Sequence, residues 1–222
     1  MRKINIAIDG PVASGKSTIA KLLAKRLGYT HIDTGAMYRC VALSAIQQHV
    51  PLDDENKLTE LSATLNIELH ANGVVVCDGQ DVTQALRSNG VSTAASLVSV
   101  FSGVRKQLVK QQQHIAQHKG IVMDGRDIGT VVLPNAELKI FQTASVASRA
   151  NRRYQENLKK NIKSPYHELT KEINERDYAD THREQSPLRQ AEDAVVIDTS
   201  NLSIEEVVAI IETHARRVIN HD

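Results

Sequence analysis

The chain of 222 residues has no tryptophan, two phenylalanines and five tyrosines, so aromatics make up 3% of it. With 41% hydrophobic residues a core is available, but it has to be built from aliphatic side chains. Cysteine is nearly absent. Cys40 and Cys77 form no C-x-x-C pair, which excludes a disulfide scaffold or a paired-cysteine metal site and predicts two reduced, partly buried thiols. No excess of one charge exists either: the formal net charge is +1, which argues against bulk nucleic-acid binding. No apolar run approaches the ~18 residues that a membrane span requires. The first residues read as a strand, without a basic-then-apolar leader, and the expected compartment is the cytoplasm.

What is present is an alternation of short aliphatic runs with helical patterns. Residues 4–9, 29–33, 121–124, 138–143 and 194–198 read as buried parallel strands. Helical periodicity covers 16–27, 36–50, 104–118 and 145–158. A last helix, to residue 219, opens on the capping box Ser203-Ile204-Glu205-Glu206. This order predicts an α/β three-layer sandwich: a five-stranded parallel sheet with helices on both faces. Two segments fall outside that pattern. Between 66 and 82, β-rich runs flank Asn72-Gly73, which predicts a small antiparallel insert. From about 149 to 189 the chain is charged, carries Pro165 and Pro187, and reads as a mobile lid. One kinase-sized unit is expected, with a core at about 1–60, 119–150 and 190–222, an insert-bearing part at about 61–118, and a lid at about 151–189.

The strongest local signal is Gly10-Pro11-Val12-Ala13-Ser14-Gly15-Lys16-Ser17, which fits G-x-x-x-x-G-K-[ST] at every fixed position. A strand precedes it and a helix follows it. That context makes a polyphosphate cradle of inward-pointing N–H groups at a helix N-terminus. Lys16 is placed to reach the β/γ-phosphates, and the Ser17 hydroxyl to hold Mg²⁺ directly. Ligands of open α/β sheets bind beyond the carboxyl ends of the strands. There the sequence offers Asp33-Thr34-Gly35 and Asp124-Gly125-Arg126-Asp127. Asp33 and Asp124 are candidate outer-sphere partners of a nucleotide-bound Mg²⁺. Asp33, taken alone, reads equally well as the cap of the next helix.

Positive charge is local. Arg149, Arg152, Arg153, Lys159, Lys160 and Lys163 face only Glu156 in their stretch, a pattern that asks for an anionic partner. Arg176, Asp180 and Arg183 fall at i, i+4 and i+7, one helical face. Arginines on a mobile segment beside a phosphate loop suit phosphoryl transfer, where the donor and an anionic acceptor repel and the transferring group must be neutralised. His114 and His118 lack the Glu of H-E-x-x-H and read as surface histidines. A GTPase switch would need N-K-x-D, but the chain has Asn56-Lys57-Leu58-Thr59. A P-loop kinase of another monophosphate or of a small metabolite stays open on these residues alone.

Taken together, residues 10–18, Asp33 to Arg39, Asp124 to Pro134 and Glu175 to Arg183 resemble the bacterial cytidylate kinases, nearly end to end. The D-G-R-D-x-G-T-V-V stretch is the specific part, and the antiparallel insert fits this type of nucleoside monophosphate kinase. The resemblance implies γ-phosphoryl transfer from ATP, with Mg²⁺, to CMP or dCMP. It assigns ATP to Gly10, Pro11, Val12, Ala13, Ser14, Gly15, Lys16, Ser17 and Thr18, with Arg149, Arg152 and Arg153 on the lid. It assigns the acceptor to Asp33, Thr34, Arg39, Ser96, Arg105, Arg126, Asp127, Arg176, Asp180 and Arg183. Ser96, Arg105 and Asp127 would read cytosine, Arg176 and Asp180 the ribose, and Arg39, Arg126 and Arg183 the monophosphate. Lys16, Asp124, Arg126, Arg176 and Arg183 would carry the chemistry. The expected partners are small nucleotides, not nucleic acid or membrane, and a monomer is expected.

Overall fold

The computed structural model describes residues 2–70, 73–159 and 161–220. In chain order its elements are β1 (Asn5–Asp9), α1 (Lys16–Leu27), β2 (Thr30–Asp33), α2 (Thr34–Gln47) and α3 (Glu55–Thr64). A short meander follows, β3 (Ile67–Leu69), β4 (Val75–Cys77) and β5 (Gln80–Asp81), and then α4 (Asn89–Val98), α5 (Ser102–Ile115) and β6 (Ile121–Gly125). The chain ends with β7 (Leu138–Thr143), α6 (Val146–Lys159), α7 (Tyr166–His182), β8 (Val195–Asp198) and α8 (Ile204–Asn220). The five-stranded sheet has the order β2-β6-β1-β7-β8, and the pairings of β1 with β6, β1 with β7 and β7 with β8 are parallel. The expected α/β sandwich is therefore the fold.

Two compact units make up the chain: Met1–Tyr29 with Lys119–Asp222, and Thr30–His118. Each has its own aliphatic core. In the first, Ile4 just before β1, Ile6 and Ile8 of β1, and Val122, Leu138 and Ile140 of its neighbours meet Ile19 and Leu23 of α1 and Val207, Val208 and Ile211 of α8. Each such side chain contributes about 1.5–3 kcal/mol on burial. Every residue of β1 is buried, as a central strand covered on both faces requires. In the second unit Met37, Val41, Leu58, Leu61, Val98, Val104 and Leu108 pack helix on helix. Gly103 lets α5 cross α3 closely, since a Cβ there would lie 2.0 Å from Thr59 Oγ1.

Helix ends follow local chemistry. Ser203 and Glu206 form the predicted capping box: Ser203 N donates to Glu206 Oε2 (2.8 Å) and Glu206 N to Ser203 Oγ (3.3 Å). α2 starts two residues before its periodicity does, because Asp33 Oδ1 accepts from Ala36 N (3.0 Å) and caps it. It stops at Gln47, ahead of the left-handed His49, rather than running to Val50. α5 spans 102–115, and the last turn of its predicted range is a 3-10 helix, Ala116–His118. The insert has three strands rather than two. β3 and β4 pair antiparallel, and a second tight turn at the left-handed Asp78 and Gly79 adds β5. Asn72 of the predicted Asn-Gly turn lies outside the described residues; Gly73 is left-handed and its N–H bonds His70 O.

Candidate active site

In the first unit β1 delivers the glycine loop. A Cβ on Gly10 would stand 2.0 Å from the Gln142 carbonyl of β7, so only glycine lets the chain turn out of the sheet there. Ala13 (φ 57°) and Gly15 (φ 90°) are left-handed, the alternation that points successive N–H groups into a concavity suited to an anion. Gly15 then serves as N-cap of α1, with no side chain to block the helix N-terminus. The Lys16 ammonium is buried and lies on its own loop, donating to Pro11 O (2.6 Å) and Ser14 Oγ (3.2 Å). Burial, then the nearby Arg126, holds it well below the ordinary lysine range, while Asp124, Asp180 and Asp9 pull it back up.

Three segments remote in sequence converge on that lysine. Asp124, at the end of β6, accepts a 2.7 Å hydrogen bond from Ser17 Oγ and is 3% exposed. Arg126 Nε donates to Asp180 Oδ2 of α7 at 2.6 Å. Burial opposes ionisation of Asp180, but Arg126, Arg183 and Arg176 outweigh it and leave this carboxyl below its usual range. Arg183 Nη2 stands 3.7 Å from Asp127 Oδ1 with both side chains buried, and Arg183 Nε donates to Ser186 O (2.7 Å). Arg183 is the C-cap of α7 (φ −62°, ψ 141°): its N–H still bonds Ala179 O (3.1 Å), and its charge acts on Asp180 together with that of Arg176.

The arginines of the basic stretch divide. Arg149 is 4% exposed, pairs with Asp177 (2.6 Å), and donates to Ala144 O (3.0 Å) and Val12 O (3.1 Å). Arg152 donates to Ser14 O (3.1 Å) and also bonds Thr199. The basic stretch asked for an anionic partner, yet these two guanidiniums already hold backbone carbonyls of the glycine loop. Arg153 is exposed and Lys160 lies outside the described residues.

In the second unit Arg39 pairs with Asp33 (2.8 Å), one turn along the helix that Asp33 caps. Both Asp33 oxygens are thus engaged, one of them in the helix cap that the sequence offered as an alternative. Thr34 is buried at the start of α2. Arg105 of α5 lies 5.5 Å over the Tyr38 ring and donates to Ser99 O (3.2 Å), tying α2, α4 and α5 together. Ser96 of α4 is half-buried and bonds Ser92 O (3.3 Å).

Residues 6–217 match the cytidylate kinase family model. The chain is 52% identical to the cytidylate kinase of Bacillus subtilis, over 93% of each chain. It is 50% identical to that of Streptococcus sanguinis, over 99% of this chain and 100% of that one. The chain belongs to the cytidylate kinase family. Membership makes it a nucleoside monophosphate kinase. At 13–14% identity it also shares its fold with a shikimate kinase from Bacteroides thetaiotaomicron (TM-score 0.51, 97% of this chain and 99% of that one) and a gluconokinase from Sinorhizobium meliloti (TM-score 0.50, 98% and 95%).

One residue of this kinase's loop region is not visible in its motifs. Asp9, the last residue of β1, accepts from Ile128 N (2.8 Å) and Gly129 N (2.7 Å) and so braces the turn that follows Asp127. Burial pushes its carboxyl up to about 6, against the pull of those two N–H groups. An acidic residue directly before the first glycine was the available signal. The histidine reading holds: His114 and His118 are exposed, and no cluster of three metal-ligating side chains occurs among the described residues. Ser17 Oγ hydrogen-bonded to Asp124 offers a hydroxyl and a carboxylate side by side, the hard-oxygen chemistry that Mg²⁺ takes when nucleotide phosphates supply the other ligands. No helix is long and apolar enough to cross a membrane among the described residues.

Proposed function

We propose that this kinase transfers the γ-phosphoryl group of ATP to CMP, and also to dCMP, giving the corresponding diphosphate and ADP. The observation that supports it most is the convergence on Lys16 of the glycine loop, the Asp124–Asp127 strand end and α7. A phosphate-binding loop alone serves many reactions. A loop whose lysine shares its surroundings with Arg126, and through Asp180 with Arg176 and Arg183, is built to neutralise several phosphate groups at once.

An acceptor monophosphate oxygen is already anionic at neutral pH, so no general base is required. It attacks the γ-phosphorus, the bond to the β,γ-bridging oxygen breaks, and ADP leaves with that electron pair. Lys16 and the loop N–H groups, from Gly10 to Thr18, hold the donor phosphates; Arg126 and Arg183 face the transferring charge. Ser17, with Asp124 behind it, would hold Mg²⁺, which supplies further charge neutralisation on the phosphates when bound. Arg149 and Arg152 shape the loop through its carbonyls, and Arg153 stays available for the donor. We assign the ribose to Arg176 and Asp180, the acceptor phosphate also to Arg39, and the base to Ser96, Arg105 and Asp127. A carboxylate accepts from the N4 amino group of cytosine and meets only a lone pair on uracil. Residues 151–189 are assigned the role of a closing lid.

The test is a panel of CMP, dCMP, UMP, AMP, GMP and dTMP with ATP and Mg²⁺. CMP and dCMP are expected to give the highest kcat/KM; a clear preference for AMP or dTMP refutes the cytosine reading.

A further inference from the structure

The two cysteines, 37 positions apart in sequence, meet in the second unit. Cys40 sits in the middle of α2 and is fully buried, and Cys77 closes β4 at 9% exposure. Both are free thiols. Both belong to the same aliphatic core, and both line one cavity of about 150 Å³ whose other walls include Ser44, Gln47, Gln48, Asp78 and Gln80. That volume exceeds what several water-sized molecules need, and its glutamine and serine side chains make it polar. None of the residues assigned to phosphoryl transfer lines it.

We propose that Cys40 and Cys77 form a preassembled dithiol, a modification site that a small hydroperoxide entering this cavity converts into an intrachain disulfide without rearranging the fold. The reaction divides unequally between the two sulfurs. Cys40 is fully buried, whereas Cys77 keeps 9% of its surface exposed and lines the cavity. Cys77 is therefore the sulfur that the peroxide reaches, and it reacts as the thiolate, its proton leaving to solvent. Its sulfur attacks one peroxide oxygen, the O–O bond breaks, and hydroxide leaves, giving a sulfenic acid on Cys77. The Cys40 sulfur then attacks the Cys77 sulfur, the S–OH bond breaks, and the Cys40 proton leaves with the hydroxyl as water. Two thiols are oxidised to one disulfide, and one peroxide is reduced to water. The product ties α2 to the small sheet.

Treating the full chain with hydrogen peroxide and then with dithiothreitol tests this. Expected are an intact mass lower by two hydrogens, a Cys40–Cys77 cross-linked peptide, no dimer on a non-reducing gel, and a thermal midpoint raised by about 5 °C or more. All four should revert with dithiothreitol. Cys40→Ser should stop at a Cys77 sulfenic acid that dimedone traps; Cys77→Ser should leave Cys40 unmodified. Both thiols remaining free, Cys77 gaining two oxygens in place of the cross-link, or a lowered midpoint on cross-linking would overturn the proposal. The wild-type mass decides the matter even if a serine variant fails to fold. No readout involves turnover, so failure here and failure of the CMP reading are separate results.

Discussion

The charges around the glycine loop and the Asp33–Arg39 pair of the second unit are held in opposite ways. In the first, Lys16, Asp9, Asp124 and Asp127 are each no more than 5% exposed. Backbone N–H groups hold Asp9, backbone carbonyl and hydroxyl oxygens hold Lys16, and the Ser17 hydroxyl and Arg183 sit on the two others. In the second, the Asp33–Arg39 pair keeps 30% and 27% of its side chains exposed. A buried charge needs partners fixed by the fold, and removing one leaves the other stranded at several kcal/mol. A half-exposed pair exchanges partners cheaply. The phosphate loop is therefore held by partners fixed in the fold, and the proposed role of Arg39 asks it to trade Asp33 for an acceptor phosphate.

The sharpest way to break this contrast is to remove a charge from each side. Lys16→Ala should lower kcat by about 10³-fold or more, the scale for groups that neutralise a transferring phosphoryl. The circular dichroism spectrum should stay that of the wild type, since the ammonium bonds only its own loop. A near-normal kcat would take the loop out of the mechanism. Next in size, Asp127→Asn should reduce the preference for CMP over UMP by about 10²-fold. Equal losses on both acceptors would leave Asp127 as a partner for Arg183 alone.

Arg39→Ala should raise the KM for CMP by about 10-fold, the cost of one hydrogen bond to a charged group, with kcat changed far less. The fold should survive, because Asp33 keeps its cap on Ala36 N. A kcat loss as large as that of Lys16→Ala would erase the difference between the units.

The same contrast explains what the sequence makes legible. Phosphate binding is mostly backbone work, so it needs a contiguous stretch with glycines at set positions, and residues 10–17 announce it. The strand ends at Asp33 and Asp124 follow from aliphatic runs. Ser96 and Arg105, proposed for the acceptor, lie on two different helices, where spacing carries no signal; only resemblance points to them. Arg149 and Arg152 read as lid charges because their partners are carbonyls at positions 12 and 14, invisible to charge counting. The meeting of Cys40 with Cys77 depends on how α2 packs on a strand two elements away, and no local pattern encodes that.

A last effect, on stability rather than turnover, concerns Asp9, whose carboxyl burial raises from 3.8 to about 6. Between those values the folded chain binds a proton that the unfolded chain releases. Stability drawn from this group therefore increases as pH falls from 7 toward 4, by up to about 3 kcal/mol for a difference of about two pH units. Asp180 runs the other way: its carboxyl lies below the usual range when folded, so its contribution is lost only as pH falls below 3.8. The two windows do not overlap. Asp9→Asn should cost about 1–3 kcal/mol at neutral pH, because the amide offers one acceptor atom to two N–H groups. Urea unfolding of both proteins from pH 7 to pH 4.5 should show the wild type gaining on the variant as pH falls. A constant difference across that range would mean that Asp9 titrates like an exposed aspartate, and that the phosphate end is less tightly buried than its hydrogen bonds indicate.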